Sequence, residues 1–210
     1  WRSTQIPNSV RAAIAKLDVG KGENTPDINP NWGEPDLTIA ERVFASNTFE
    51  VRAFETGNPK SPANAIPPSA VVFGHLRYVV GTDITKLMPL LRAHLDKHGF
   101  NDITITSERD MMPATRLDPD HPWAKWAIQS LEKTADGEIA VVPNLGGSLP
   151  NDVFADLLGL PTIWVPHSYA GCSQHAPNEH ILESISKSAL RLMTGLWWDL
   201  GEGNTPRQVS

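Results

Sequence analysis

The stretch SAVVFGHLRYVVGTDITKLMPLLRAHLDKHGFNDITITS, residues 69–107, decides the fold. Its first part, residues 69–80, reads as a long apolar strand. Leu87, Leu91 and Leu95 follow at helical spacing, with Ile84 and Met88 beside them. Pro89 is tolerated only in a first helical turn, so the regular helix is expected to begin near Lys86. Gly99 is placed to end it. NDITITS (101–107) alternates as a further strand. Upstream, SNTFEVRAFETG (46–57) also alternates, and the Pro-rich NPKSPANAIPP (58–68) separates the two leading strands. The order β, β, α, β predicts an α+β sandwich over residues 46–108, with one helix covering one side of an antiparallel sheet in the ferredoxin-like manner.

Working outward, residues 1–45 read as a connecting segment. QIPNSVRAAIAKL (5–17) suggests a short helix, and GKGENTPDINPNWGEPD (20–36) is polar and turn-rich. Beyond ERDMMPATRLDPD (108–120) the rhythm changes, so residues 109–210 form a second region. Pro122 opens a helix that buries Trp123, Trp126, Ala127 and Leu131. EIAVVP (138–143) and PTIWVPH (161–167) are short apolar runs of strand composition. LPNDVFADLLG (149–159) is helical between them. PNEHILESISKSALRLMTGLWWDL (177–200) predicts a long closing helix with Ile181, Leu182, Ile185, Ala189, Met193 and Leu196 on one stripe. Helices alternating with fully apolar strands indicate an α/β region with a buried parallel sheet. Two strands are too few for such a sheet, which is expected to be completed by polypeptide beyond these residues. The seven tryptophans are assigned to packing, with Trp123, Trp126 and Trp197 on core stripes.

Composition narrows the function classes. The chain has 210 residues, a net charge of −6 and 40% hydrophobic residues, so broad electrostatic affinity for nucleic acid is not expected. No run approaches the ~20 apolar residues that span a bilayer. The single cysteine, Cys172, excludes an internal disulfide framework and fits a reducing, cytoplasmic setting. The first residue is Trp, which points to a partial or trimmed chain.

Two loops attract attention as sites. In NLGGSLPND (144–152), Gly146 and Gly147 allow close backbone approach, and Ser148 with the following helix start offers donors to an anion. A tight turn with Ser148 as a helix cap is the simpler reading of the spacing. In GCSQHAPNEH (171–180), Pro177 marks a first helical turn and Glu179 suits the positive end of the helix dipole. His175 then lies just outside the helix, at the carboxyl end of the preceding strand, where open α/β sheets bind ligands. It is suited to metal ligation or general-base work; a solvated loop histidine is the commoner case. His75 and Arg77 share one strand face, and Arg77 suits either a structural carboxylate or a bidentate grip on a substrate carboxylate. His94 and Asp96 on the helix point in different directions and read as surface residues, His98 as a helix end favoured by the dipole, and His180 as solvated.

In combination these residues resemble a known family. NAIPPSAVVFGHLRYVVGTD (64–83) with LRAHLDKHGF (91–100) is similar to the lid, or dimerisation, domain of the co-catalytic zinc peptidases. PNLGGSLPNDVFADLLGLPTIWVPH (143–167) with GCSQHAPNEH resembles the last part of their α/β catalytic domain. This is peptidase family M-20, which includes carnosine-type dipeptidases, aminoacylases, succinyl-diaminopimelate desuccinylases and glutamate carboxypeptidases. The resemblance runs from about residue 38 to 202. It implies hydrolysis of an amide bond in dipeptides, short peptides or N-acyl amino acids by water activated between two zinc ions, with a glutamate as general base. It implies that His175 is a zinc ligand and that Ser148, with Gly147 in the same motif, contacts the terminal carboxylate of the substrate. Arg77 would bind that same group, Asn64 would touch the substrate from the lid, across the dimer in the family's manner, and His121 would be a further substrate contact. Closure of the lid would assemble the pocket.

The sequence also departs from the pattern. The His-x-Asp strand motif, the bridging Asp, the Glu-Glu pair and the further acidic ligand are absent, as is a lid histidine in a His-Ser-Gly setting. The expectation is that a longer parent is the zinc hydrolase, with its general base in the missing N-terminal half, and that these residues alone neither hold two zinc ions nor hydrolyse peptides. The lid is expected to pair two copies into a homodimer. The alternatives are a non-catalytic dimerisation or binding module, and an unrelated carboxylate-binding α/β protein.

Overall fold

A computed structural model describes residues 2, 5–20, 27–107, 112–147, 149–169 and 171–206. The first element, α1 (Asn8–Ile14), buries Val10 and Ile14. The second, α2 (Ile39–Phe44), is opened by a capping box: the Thr38 hydroxyl accepts from the Glu41 N–H at 3.2 Å, and the Glu41 carboxylate accepts from the Thr38 N–H at 2.8 Å. Ile6, Val10, Ile14 and Ala45 form the buried cluster between these helices, with Leu17, Leu37 and Phe44 packed around it. Arg11 reaches across to Glu41 at 2.9 Å.

The connection entering α2 has little regular structure but is well bonded. The Arg42 guanidinium donates to the carbonyls of Pro30 and Trp32 at 2.7 Å, Leu37 at 2.9 Å and Pro35 at 3.1 Å. Gly33 adopts a left-handed φ of +82°, and a Cβ there would stand 3.1 Å from Arg42 Cδ.

The predicted leading strands are β1 (Thr48–Thr56) and β2 (Ala70–Arg77). They pair antiparallel, from Thr48 opposite Arg77 to Thr56 opposite Ala70, with an irregularity between Val51 and Ala53. Asn47 fastens the near end by accepting from the Val79 N–H at 2.9 Å and the Thr82 hydroxyl at 3.1 Å. Gly74 faces Phe49, whose ring would lie 2.4 Å from an added Cβ; the missing side chain lets the ring cover the strand. A 3-10 turn over Ile84–Lys86 leads into α3 (Leu87–Lys97), and Gly99, at φ +82°, ends the helix as predicted.

Three expectations are corrected. NDITITS forms no strand: the Arg92 guanidinium takes the carbonyls of Phe100 and Ile103 and holds this segment against α3. Among the described residues the sheet therefore has two strands. Nor does α3 cover it, since the element pairs in contact are β1 with β2, α4 with α5, α3 with its leading 3-10 turn, and α1 with α2. Phe49, Val51, Phe54, Val71, Val72 and Phe73 stay exposed on the hairpin. The apolar runs 138–143 and 161–167 are likewise unpaired, so the described residues contain no parallel sheet.

In the second region α4 (Pro122–Thr134) opens with Pro122 at its first position and buries Ala127, Ser130 and Leu131, while Trp123 and Trp126 are half-buried and meet edge to face. Val153–Leu157 forms one wide turn, a π-helix, rather than a regular α-helix. The closing helix, α5 (Glu183–Gly201), begins six residues later than Pro177 suggests. It crosses α4, with Lys133 paired to Asp199 at 2.8 Å and Arg191 to Asp136. At the crossing, a Cβ on Gly195 would meet Thr134 Cγ2 at 2.6 Å, so glycine sets how closely the helices approach. Trp197 is 65% exposed, which corrects its assignment to the core: only one side of α5 meets α4. No helix among the described residues is long and apolar enough to cross a membrane.

Candidate functional site

Arg77 ends β2, with its side chain about two-fifths exposed. Its Nη1 donates to the carbonyl of Gly146, and its Nε lies 3.5 Å from a Glu50 carboxylate oxygen on the paired strand. The hairpin and the Gly-Gly loop are thus brought together, 69 residues apart in sequence. The reason for glycine is local: a Cβ at Gly146 would stand 3.2 Å from Arg77 Nη1, whereas one at Gly147 would meet no atom within 4 Å. The close approach is therefore made at Gly146, and Gly147 is the open side of the loop. The Gly147 N–H donates to the Leu145 carbonyl at 2.8 Å, folding the loop tightly. Ser148 lies outside the described residues.

The loop is anchored from both sides by residues that sequence reasoning missed. The Asn144 amide donates to the Phe44 carbonyl at 2.6 Å, tying the loop to the end of α2. Asn151 donates to the Thr115 hydroxyl at 2.6 Å and accepts from the Trp164 indole at 3.1 Å. Tyr78, next to Arg77, donates its hydroxyl to the Met112 carbonyl. Burial raises the Tyr78 pKa above the usual phenol value, with the Asp152 charge adding to the effect. A signal existed for the first of these: an asparagine immediately before LGGS can bond sideways without occupying the space that glycine keeps free.

His175 occupies an exposed loop with unusual backbone. Ser173, His175 and Asn178 have φ of +58°, +61° and +66°. Asparagine and histidine are found in this region more often than other side-chain-bearing residues, though every residue with a Cβ adopts it at some cost. The loop is closed by the His180 N–H donating to the Cys172 carbonyl at 3.0 Å and by the Ala176 N–H donating to the Ser173 carbonyl at 2.9 Å. The Glu179 carboxylate accepts the His175 N–H at 3.2 Å. Glu179 therefore braces the loop, in place of the expected helix-dipole role, because α5 starts only at Glu183. His180 is bonded as well as exposed: its Nδ1 contacts the Asn178 carbonyl at 2.8 Å and its Nε2 the Tyr169 hydroxyl. Cys172, at the start of the loop, is buried, and its Sγ accepts from the Ser168 hydroxyl at 3.2 Å. Non-glycine residues at positive φ persist only where the surrounding structure fixes them, and such positions cluster at ligand-binding and catalytic sites.

The remaining candidates stand apart. His121 caps α4, its Nδ1 accepting the Trp123 N–H at 3.2 Å. Asn64 is exposed in the connection beyond Thr56 and Ala70, at the far end of the hairpin from Arg77. The span along β2 is ~23 Å at a strand rise of about 3.3 Å per residue, so the structure does not bring Asn64 to Arg77 within one chain. Among the described residues no three His, Cys, Asp or Glu side chains lie close enough to hold a metal ion. His175 with its described neighbours does not fit a zinc pair.

No family model matches the chain, and no curated protein matches it in sequence. Its fold is similar to that of a solved M20 family metallo-carboxypeptidase from Sulfolobus solfataricus, with a TM-score of 0.71 and 24% sequence identity. The likeness covers 92% of this chain and 45% of that one, so the chain spans just under half the length of the carboxypeptidase with which it shares a fold.

Proposed function

We propose that this chain is the substrate-recognising portion of a metal-dependent amide hydrolase, acting on peptides or N-acyl amino acids that carry a free carboxylate. The observation that carries the reading is Arg77 reaching from the hairpin to the Gly146 carbonyl. A cationic fork on one region meets a loop with open glycine backbone on the other. An incoming carboxylate would exchange the neutral Gly146 acceptor for charge-assisted hydrogen bonds, which are roughly twice as strong. Ser148 and Gly147 supply further contacts to that group, and the His175 loop presents an imidazole for a metal whose other ligands, with the general base, lie on polypeptide beyond these residues. The shared fold with a metallo-carboxypeptidase is compatible with this reading.

The test uses protein expressed from the complete reading frame, supplied with zinc, and paired substrates: dipeptides and N-acetyl amino acids, each as free acid and as C-terminal amide. A hydrogen bond to a charged group is worth about 1.5–3 kcal/mol. Arg77→Ala should therefore raise KM for the free acids by about 10- to 150-fold and leave the amides little changed. Failure of that protein to cleave any free acid would sink the proposal.

A second reading, a non-catalytic pairing module, is favoured by the exposed apolar hairpin: Val51 is 62% and Phe54 63% exposed. Under either reading we infer a homodimer formed through the hairpin region, since an unpaired strand edge with apolar faces is a ready docking surface. If the complete frame lacks the missing acidic and histidine ligands, the pairing module displaces the hydrolase.

A further inference from the structure

Outside the site above, α3 carries a feature that the proposed function does not use. His94 and His98 stand one turn apart, with ring centroids 4.5 Å apart and ring planes inclined at 47°. Both are exposed. The backbone there is fixed: the His98 N–H donates to the His94 carbonyl at 3.2 Å, and Gly99 turns the chain away at φ +82°. We propose that this pair is a chelating site for a borderline divalent transition cation such as Ni²⁺, Cu²⁺ or Zn²⁺.

The geometry fits. A metal lies ~2.0–2.1 Å from each ligating imidazole nitrogen, which places it ~3.2 Å from each ring centroid. Two rings bound at a right angle then have centroids ~4.5 Å apart, and at the tetrahedral angle ~5.2 Å. The observed 4.5 Å matches the right-angled separation, so the two rings stand at the distance that a shared ion requires. Imidazole selects Zn²⁺, Cu²⁺ and Ni²⁺ over the oxygen-seeking Mg²⁺ and Ca²⁺. The location helps too, because the rings flank the last turn of α3, where the outward carbonyls make the dipole negative and favour a cation. Of the charged neighbours, Lys97 opposes the ion, while Asp96 is engaged by Arg92 at 2.6 Å and supplies no third ligand in this arrangement. The remaining coordination positions are left to water or to a donor from another molecule. The site is independent of His175 and of the hydrolase reading.

The experiment titrates the 210-residue chain with NiCl₂ by calorimetry and, in parallel, adds substoichiometric CuCl₂ while the ring resonances of all seven histidines are followed by NMR. One ion per chain is expected at the pair, with the His94 and His98 resonances broadened before the other five. His94→Gln and His98→Gln each remove the second arm of the chelate and should weaken that binding on the order of a hundredfold. His175→Gln should leave it unchanged. Both test positions are exposed, and circular dichroism confirms the fold of each variant. Retention of full affinity in either α3 variant, or earlier broadening at His175 than at His94 and His98, would overturn the proposal.

Discussion

The crossing of α4 and α5 makes a quantitative prediction at Gly195. Glycine inside a helix is worse than alanine by about 1 kcal/mol, so Gly195→Ala should stabilise α5 if nothing stood in its way. In the structure the new methyl would lie 2.6 Å from Thr134 Cγ2 and 3.1 Å from Thr134 Oγ1. Overpacking of this kind costs about 1–3 kcal/mol. With a central cost of about 2 kcal/mol, the variant should be destabilised by about 1 kcal/mol, lowering Tm by about 2–4 °C for a chain of this size. Thr134→Ala removes both obstructing atoms and leaves only Cβ, at 3.4 Å, which is close to ordinary contact. In that background Gly195→Ala should raise Tm by a similar amount, because only the helix-propensity gain remains. Urea or thermal denaturation of the four proteins gives the coupling energy, expected near 2 kcal/mol. A stabilising Gly195→Ala in the wild-type background would show that the helices do not press together at Thr134, and the account of the crossing would fail.

Thr38→Ala removes one arm of the capping box and should cost about 1 kcal/mol in denaturant titrations. The Glu41 carboxyl is held below its usual pKa chiefly by the Thr38 N–H, with the Thr38 hydroxyl and Arg11 assisting and burial opposing. A depressed folded pKa contributes stability that is full above the unfolded value of about 4.3 and is lost as pH falls through the folded value. The stability gap between wild type and Glu41→Gln should therefore be open at pH 7 and close below about pH 4; a gap independent of pH would contradict the assignment. At His175 the left-handed backbone costs a Cβ-bearing residue about 1–2 kcal/mol, partly offset by the greater unfolded-state freedom of glycine. His175→Gly should thus be more stable than His175→Ala by about 0.5–1 kcal/mol, and the reverse order in thermal melts would place His175 in ordinary backbone.

How far the sequence could be read depended on whether each signal was local. The hairpin strands, α3 with its Gly99 stop, and α4 with Pro122 at its first position follow from alternation, helical spacing and caps, all contained within a few residues. Residues 101–107, 138–143 and 161–167 have strand composition, but a strand exists only when a neighbour accepts its hydrogen bonds. The carbonyls of Phe100 and Ile103 go to Arg92 instead. α2 was missed although Thr38 and Glu41 carry the spacing of a capping box, because six residues give little periodicity to detect. Pro177 suggested a helix start, and the left-handed residues at 173, 175 and 178, which no propensity scale reveals, delayed it to Glu183. At the site, the loop around Gly146 was legible as a place of close approach. That the approaching group is Arg77, and that Asn144 and Asn151 hold the loop in place, required the fold.

The Arg42 side chain has a consequence for how the N-terminal region opens. Its four carbonyl partners are spread along the coil that precedes its own helix, and the helix is seated on α1 through the small buried cluster. Coil and helix are therefore one cooperative unit: unwinding α2 withdraws the peg on which the coil hangs, and freeing the coil strips the peg of its acceptors. A stretch with almost no repeating structure should then surrender its protected amide hydrogens in the same event as the helix, rather than earlier as surface coil ordinarily does. Lysine in place of the arginine, with one compact charge instead of a planar fork, would divide that unit in two.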